Sequence, residues 1–419
     1  MGSITLRKEV QEQLERIKTA DILVGIPSYN SARTIGHVVR AVHAGIVKYF
    51  PDKKAVLVNS DGGSIDGTIE VVNGTAIEDF QSILLHHRIE PFFKITTPYI
   101  GIPGKGSAFR AIFEIAAALN VKACAVVDSD LRSITPEWVE LLVKPVIENG
   151  FDYVAPLYHR HKYDGTITNS IVYPLTRALY GKRVRQPIGG DFGFSGSLAK
   201  FYLTKDVWNT DIARYGIDIW MTTEAIANNF KVAQSFLGAK IHDPKDPGAD
   251  LSAMLAQVAG SAFRLMETYR DVWKQVKGSE TVPTFGFQYM VGLEHVKVDV
   301  NRMLTLFREG VKGLREIWLK ILGAGDFGEV EALGTRPDPE FRFPLQLWTR
   351  IVYDYALAYH KRKLPLEHLL KSLTPLYLGK TASFVMEVED RGQEEAEEEI
   401  EKLCREFEQG KEHLINNWT

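Results

Sequence analysis

Ala123-Cys124-Ala125-Val126-Val127-Asp128-Ser129-Asp130 is a short apolar run that stops at two carboxylates one residue apart. Small and β-branched residues fill its first five positions, as expected of a strand buried on both faces. Asp128 and Asp130 then stand at the carboxyl end of a core strand, the edge where open α/β sheets place their ligands. Two hard oxygen donors at that edge suit a hydrated divalent cation that also holds a diphosphate. An isolated Asp-X-Asp is equally well a capped strand end before a turn, so its weight depends on its neighbours.

The neighbouring segments repeat the pattern. After an amphipathic helix at Leu6 to Lys18, Asp21 to Pro27 read as a first strand, Ser28-Tyr29-Asn30 as a loop, and the next residues as a helix toward Tyr49. Ala55 to Val58 form a second strand that ends in Asn59-Ser60-Asp61-Gly62-Gly63-Ser64, and a helix begins near Asp66. Phe92 to Thr96 suggest a third strand, followed by a glycine-rich loop at Gly101 to Gly106 and a helix from Ser107 to Leu119. The Asp128 strand is the fourth. Thr135-Pro136-Glu137 open the next helix with proline at its first position, and Phe151 to Leu157 make a fifth strand. Strands alternating with helices at this spacing predict an α/β fold with a mainly parallel, Rossmann-like sheet.

Residues 159–250 are less regular, with a Gly189-Gly190 turn and a late strand at Ala233 to Ile241. From Asp250 the apolar spacing is helical, at Leu251 to Lys277, Met290 to Leu322 and Leu345 to Lys361. Glu387 to Glu412 is highly charged, and Ile400, Leu403 and Phe407 give it one apolar face, which predicts a solvated helix. The expected division is a domain at 1–250 and a helical C-terminal region at 251–419.

With 419 residues and 45% hydrophobic content, the chain can bury a sizeable core and is not disordered. Its net charge of -3 supplies no basic field for nucleic acid or acidic membranes. Cys124 lies inside the apolar strand, where a thiol packs as a small hydrophobe, and with Cys404 as the second of two cysteines there is no disulfide framework. Met1 to Thr19 contain no apolar run resembling a signal peptide, and no stretch is apolar enough for a membrane span. These features lead to the expectation of a cytoplasmic protein with neither nucleic-acid nor membrane partners.

Four loops at expected strand ends carry candidate chemistry. Pro27-Ser28-Tyr29-Asn30 offers backbone and polar groups to a nucleobase and ribose, and Asn59 to Thr68 supplies short polar residues and glycines for a tight turn. Gly101-Ile102-Pro103-Gly104-Lys105-Gly106-Ser107-Ala108 lacks P-loop spacing. Even so, a lysine between two glycines at a helix start presents a cation and free amides to a phosphate. Asp128-Ser129-Asp130 is the fourth loop.

The order of these loops resembles that of A-type, nucleotide-sugar-dependent glycosyltransferases, especially the retaining glucosyl-3-phosphoglycerate and mannosyl-3-phosphoglycerate synthases. Pro27 to Asn30, Ser64-Ile65-Asp66-Gly67-Thr68, Pro103 to Gly106 and Asp128 to Asp130 carry the likeness. It continues through Gln186-Pro187-Ile188-Gly189-Gly190-Asp191, Tyr215-Gly216-Ile217-Asp218-Ile219 and Leu237-Gly238-Ala239-Lys240-Ile241-His242. The resemblance spans about residues 20–250 and implies an A-type glycosyltransferase fold followed by helices.

It also implies residue roles. Pro27, Tyr29, Asn30, Ser60, Asp128 and Ser129 would bind the nucleoside diphosphate-sugar donor, and Lys105 would contact it. Asp130 and His242 would ligate a divalent cation, Mg²⁺ or Mn²⁺, which offsets charge on the leaving diphosphate. Asp218, with Lys105, is the catalytic candidate; it would orient sugar hydroxyls or serve as a base, and Glu224 on the same helix is a weaker candidate. Thr166, Thr168, Gly189, Gly190 and Arg160 would line the acceptor region. Relatives that use phosphoglycerate carry an arginine where ungapped counting from Pro174-Leu175 places Thr166, and Pro244 replaces an asparagine usual just after the metal histidine. Losing the guanidinium fork favours a small carboxylate acceptor without phosphate, D-glycerate, over 3-phosphoglycerate.

The resulting expectation is transfer of glucose, with mannose as the other sugar, to give glucosylglycerate, a compound of compatible-solute type. The helical tail is expected to support a homodimer or to cover the acceptor site. A nucleotidyltransferase would place a glycine-rich, Arg- and Lys-containing loop after the first strand, where Pro27-Ser28-Tyr29-Asn30 stands instead. A non-catalytic nucleotide-sugar-binding module would have no use for Asp130, Lys105 and His242 together.

Overall fold

The computed structural model describes residues 6–75, 92–99, 103–241, 251–289, 292–293 and 296–418. Two compact units emerge: 1–159 with 186–243 and 282–292, and 160–185 with 244–281 and 293–419. The single boundary expected at 250 is therefore corrected. Residues 160–185 belong to the helical unit, and 282–292 belong to the sheet unit because they add an edge strand to it.

In the first unit, helix α1 (Lys8–Ile17) precedes β1 (Ile22–Ser28), α2 (Ile35–Tyr49), β2 (Ala55–Asp61), α3 (Thr68–Gly74), β3 (Phe92–Pro98), α4 (Lys105–Ala118), β4 (Ala123–Val126), α5 (Pro136–Ile147) and β5 (Tyr153–His159). The chain then gives α6 (Tyr173–Tyr180) and β6 (Lys182–Arg183) to the second unit. It returns with β7 (Phe192–Ser195), α7 (Gly196–Leu203), α8 (Ile217–Ala227) and β8 (Val232–Ala239). After α9 (Ser252–Thr268), α10 (Arg270–Trp273) and β9 (Glu280–Thr281) of the second unit, β10 (Thr284–Phe285) completes the sheet.

The eight strands run in the order β10-β8-β5-β7-β4-β1-β2-β3. β7 is antiparallel to both β4 and β5, and the other pairings are parallel. The mainly parallel sheet expected from the sequence is present, and the antiparallel β7, too short and apolar to announce its direction, is the addition. β1 is central, with Val24 opposite Leu57 on one side and Ala125 on the other. All seven residues of β1 are buried, which accounts for its unbroken apolar character. Because β1, β2, β4, β5 and β8 share one direction, their carboxyl ends collect on one edge.

Each face of the sheet carries helices. On one, Val38 and Val42 of α2 and Trp138, Val139 and Leu142 of α5 join Ile22, Val24, Ala125 and Val127 in one core. On the other, Phe113 of α4 meets Phe194 of β7 edge-on at 5.4 Å and Tyr202 of α7 at 5.3 Å, and Tyr202 reaches Trp220 of α8 at 4.9 Å. Cys124 is fully buried, as expected.

The second unit holds α11 (Val300–Gly313), α12 (Arg315–Thr335), α13 (Leu345–His360), α14 (Leu366–Glu387) and α15 (Gln393–Asn417) beside its earlier helices. α12 breaks at Gly323, where φ is 75°. α15 is the charged segment, and its expected apolar face is buried at Ile400, Leu403 and Phe407. Its expected solvation is corrected: Glu401 and Glu408 bind the buried Arg177 of α6, and Glu397 binds Arg185 at 2.5 and 2.8 Å. An acidic run leaves the position of its cations open, since α6 lies more than two hundred residues earlier. Among the described residues, no helix is long and apolar enough to cross a membrane.

Gly193 of β7 lies under α5, and a Cβ there would come within 1.9 Å of the Leu142 carbonyl oxygen. Gly193→Ala is expected to force these backbones apart and cost about 2 kcal/mol or more. Urea unfolding compared with the parent protein checks this.

Candidate active site

At the carboxyl edge, the first two loops are tied together by Asp61, the last residue of β2, which is 1% exposed. Its Oδ1 accepts from the Gly63 and Ser64 amides at 2.8 Å, and its Oδ2 from the Ser28 and Ser64 hydroxyls at 2.8 and 2.7 Å. Asn30, at φ 49°, accepts from the Ile65 amide, while its own amide donates to Ser64 Oγ at 2.8 Å. The Asp128 loop joins through Ser129, whose hydroxyl lies 2.8 Å from Ser31 Oγ and whose carbonyl accepts from Thr34 Oγ1. Three strand ends distant in sequence thus form one hydrogen-bonded platform. Tyr29 stands 65% exposed upon it. Pro27 and Ser60, expected at the nucleoside site, are buried near the ends of β1 and β2, and Tyr29, Asn30 and residues 62–66 make the accessible surface beside them.

The third loop brings in Lys105 at the first turn of α4. A Cβ on Gly104 would lie 2.5 Å from the Ala213 carbonyl oxygen, and one on Gly106 would lie 2.1 Å from that of Ile212. The two glycines therefore let the helix start abut residues 212–214. Lys105 Nζ reaches Asp128 Oδ1 at 2.8 Å and both Asp218 oxygens at 3.4 Å. Lys240, just past β8, completes the cluster: its Nζ lies 2.7 Å from Asp128 Oδ2, 2.8 Å from Asp191 Oδ2 and 2.8 Å from the Gly189 carbonyl oxygen. Asp191 also accepts from the Asp128 amide at 2.7 Å and from the Tyr158 hydroxyl.

Burial opposes every charge in this cluster, with different outcomes. It works against Lys105, yet the Asp128 and Asp218 carboxylates overcome it and raise the ammonium above its ordinary value. It likewise works against Asp128, which Lys105 and Lys240 nevertheless hold well below the usual carboxylate range. For Asp191 and Asp218 burial prevails and raises the pKa. Asp218 is 8% exposed, and its Oδ1 has no hydrogen-bond partner. A buried carboxylate oxygen left so is costly without a ligand hydroxyl to satisfy it.

The structure thus brings Asp128, Lys105, Asp218, Gly189 and Gly190 together. Asp130 is half-buried and, among the described residues, makes no ion pair or hydrogen bond, which leaves its carboxylate open to a cation. His242 lies outside the described residues; among those described, no three His, Cys, Asp or Glu side chains are grouped to hold a metal. Glu224 pairs with Lys205 at 3.1 Å, a structural role on α8. Thr166, Thr168 and Arg160 belong to the second unit. There Thr166 Oγ1 lies 2.5 Å from the Tyr377 hydroxyl, Thr168 is buried in a π-helical turn, and Arg160 pairs with Asp164 at 3.4 Å.

Lys240 and Asp191 were missed as functional residues. Their signal was a lysine directly after an apolar strand and an aspartate directly after a Gly-Gly turn.

Residues 23–208 match the family model described as glycosyl transferase family 2. No curated protein sequence matches the chain. Solved structures similar to it include glucosyl-3-phosphoglycerate synthase from Mycobacterium tuberculosis with Mn²⁺, uridine diphosphate and glucosyl-3-phosphoglycerate, at 22% identity and TM-score 0.44, covering 63% of this chain and 86% of that one. The same synthase with Mn²⁺, uridine diphosphate-glucose and glycerol 3-phosphate matches at 23% identity and TM-score 0.44, covering 63% and 85%.

Asp61→Ala removes four hydrogen bonds from a buried carboxylate and is expected to destabilise by about 3 kcal/mol. Tyr29→Ala, at an exposed position, is expected to stay within about 0.5 kcal/mol of the parent. Denaturant unfolding of the two variants side by side checks both.

Proposed function

We propose that this chain, whose residues 23–208 match glycosyl transferase family 2, is a retaining hexosyltransferase of A-type fold that moves glucose from a nucleoside diphosphate to D-glycerate. The observation that carries the reading is the division of two neighbouring carboxylates: Asp128 is neutralised by Lys105 and Lys240, while Asp130 has no cation among the described residues. A donor diphosphate with its divalent metal suits that arrangement. Asp130 would hold the cation, Mg²⁺ or Mn²⁺, with His242 as the second ligand. The bound ion supplies charge neutralisation at the leaving diphosphate.

The remaining chemistry falls to the chain's own groups. Tyr29 and the platform around Asp61 would hold the nucleoside, with Lys105 at the phosphates. Asp218 Oδ1, buried and without a hydrogen bond although Lys105 lies 3.4 Å away, would accept from a sugar hydroxyl and orient the anomeric carbon. In a front-face transfer the bond from anomeric carbon to phosphate oxygen breaks as the acceptor oxygen bonds to that carbon. The departing phosphate takes the acceptor proton, so no protein base is required. The glycerate reading is supported by the sequence resemblance, which puts Thr166 where phosphoglycerate-using relatives carry an arginine, and a threonine offers no guanidinium to a phosphate.

The test is a matrix of uridine and guanosine diphosphate sugars, glucose and mannose, against D-glycerate and 3-phosphoglycerate with Mg²⁺. Glucosylglycerate is the expected product; exclusive use of 3-phosphoglycerate overturns the acceptor assignment. Release of pyrophosphate from a nucleoside triphosphate and a sugar phosphate would show nucleotidyl transfer instead. Chelation of the metal and Asp130→Ala are each expected to remove at least about 99% of turnover, on the scale of a lost electrostatic group. Full activity in Asp130→Ala refutes its role as ligand.

A further inference from the structure

We infer that Lys240 is a positioning residue that makes Lys105 exchangeable: Lys240 stays on Asp128 and Asp191, while Lys105 moves from Asp128 to the diphosphate of an arriving donor. The inference rests on the donor reading above and adds how the site is kept ready for that donor.

An ammonium has three hydrogens to donate. Lys240 faces three acceptors at 2.7–2.8 Å, on two chain segments: Asp128 after β4, and Gly189 and Asp191 in the turn before β7. Its side chain is 5% exposed, with Nζ 5.2 Å from the centre of the Tyr158 ring. These are short, charge-assisted bonds, so displacing Lys240 would strand buried carboxylates. Lys105 also lies over a ring, that of Phe109 at 5.3 Å, but it differs in contact length and exposure. It has one short contact, 2.8 Å to Asp128, its contacts to Asp218 and the Gly190 carbonyl are 3.4 Å long, and its side chain is 18% exposed. At 3.4 Å a hydrogen bond holds little of its strength.

The consequence concerns what is left behind. When Lys105 leaves Asp128, that carboxylate still has Lys240, so the exchange strands no buried charge. Gly190 keeps this geometry possible: it sits at φ 92°, and a Cβ there would lie 2.4 Å from Asp128 Oδ2 and 3.0 Å from Lys240 Nζ. Without Lys240, the cluster's carboxylates would compete for Lys105 alone, and a donor phosphate would have to pull it from all of them.

The experiment is a double-mutant cycle of K105M and K240M. It is read as the dissociation constant of uridine diphosphate with Mg²⁺ by calorimetry, and as donor KM and kcat. K240M is expected to weaken diphosphate binding and raise donor KM about tenfold, with kcat changed by less than about threefold. In the K105M background the added K240M is expected to cost less than about twofold, because its effect passes through Lys105. K240R, which keeps the charge, is expected to restore most of the affinity. Multiplying effects in the double variant, or a fall in kcat with unchanged donor affinity, overturns the inference. Because K240M leaves Asp191 without its lysine, the cycle is repeated in D191N, which removes that charge; the same coupling is expected, and its absence there also counts against the inference. A parent protein that binds no nucleoside diphosphate refutes the donor reading itself, whereas binding by the parent with independent lysine effects refutes this inference alone.

Discussion

Asp128 holds the carboxyl edge of the sheet together through charge. Its carboxylate is buried between Lys105 and Lys240, and its amide is bound by Asp191. Taking three carboxylates out of water is tolerable only where ammonium groups are close and well aligned. That requirement sets the position of the α4 start, the turn at Gly189 and Gly190, and the end of β8 relative to one another. Each of these segments has a glycine or a strand end where an ordinary side chain would intrude. The Gly-Lys-Gly sequence at 104–106 is thereby a packing device, since both glycines press on the backbone of 212–214.

A second platform, held by hydrogen bonds rather than ion pairs, lies beside the charged cluster. Asp61, Asn30, Ser31 and Ser129 link the ends of β1, β2 and β4 by bonds between side chains and from backbone amides to side chains. Such a platform keeps polar loop atoms satisfied and holds exposed Tyr29 in place without relying on its packing. Preorganisation of this kind lets a site on loops act with the precision of one on rigid elements. The hydrogen-bonded platform and the ion-pair cluster meet at residues 128–129.

The strands carrying the candidate site were legible because each ends an apolar run in short polar residues. Asp128 and Lys105 came out of the loop pattern and Asp218 from the family resemblance, and the three meet in space. Ser60 and Pro27 are buried, because a residue at a strand end can point into the sheet as readily as out of it. The charged helix at 393–417 showed its apolar face in Ile400, Leu403 and Phe407, yet nothing local revealed that its glutamates would find Arg177 and Arg185.

By itself, the amino-acid sequence determined the alternation of strands and helices, the direction shared by most strands, and hence the edge on which Asp128 and Asp130 stand. These follow from short-range periodicity and from the steric rule that joins parallel strands through helices. Tertiary structure alone decided which carboxylate is neutralised and which is left open. That choice depends on Lys240, 112 residues from Asp128, and on the antiparallel β7, which carries Asp191 into the cluster. Charge compensation in a buried site is set by distances of a few ångströms between segments far apart in the chain, and a one-dimensional pattern contains no such distances.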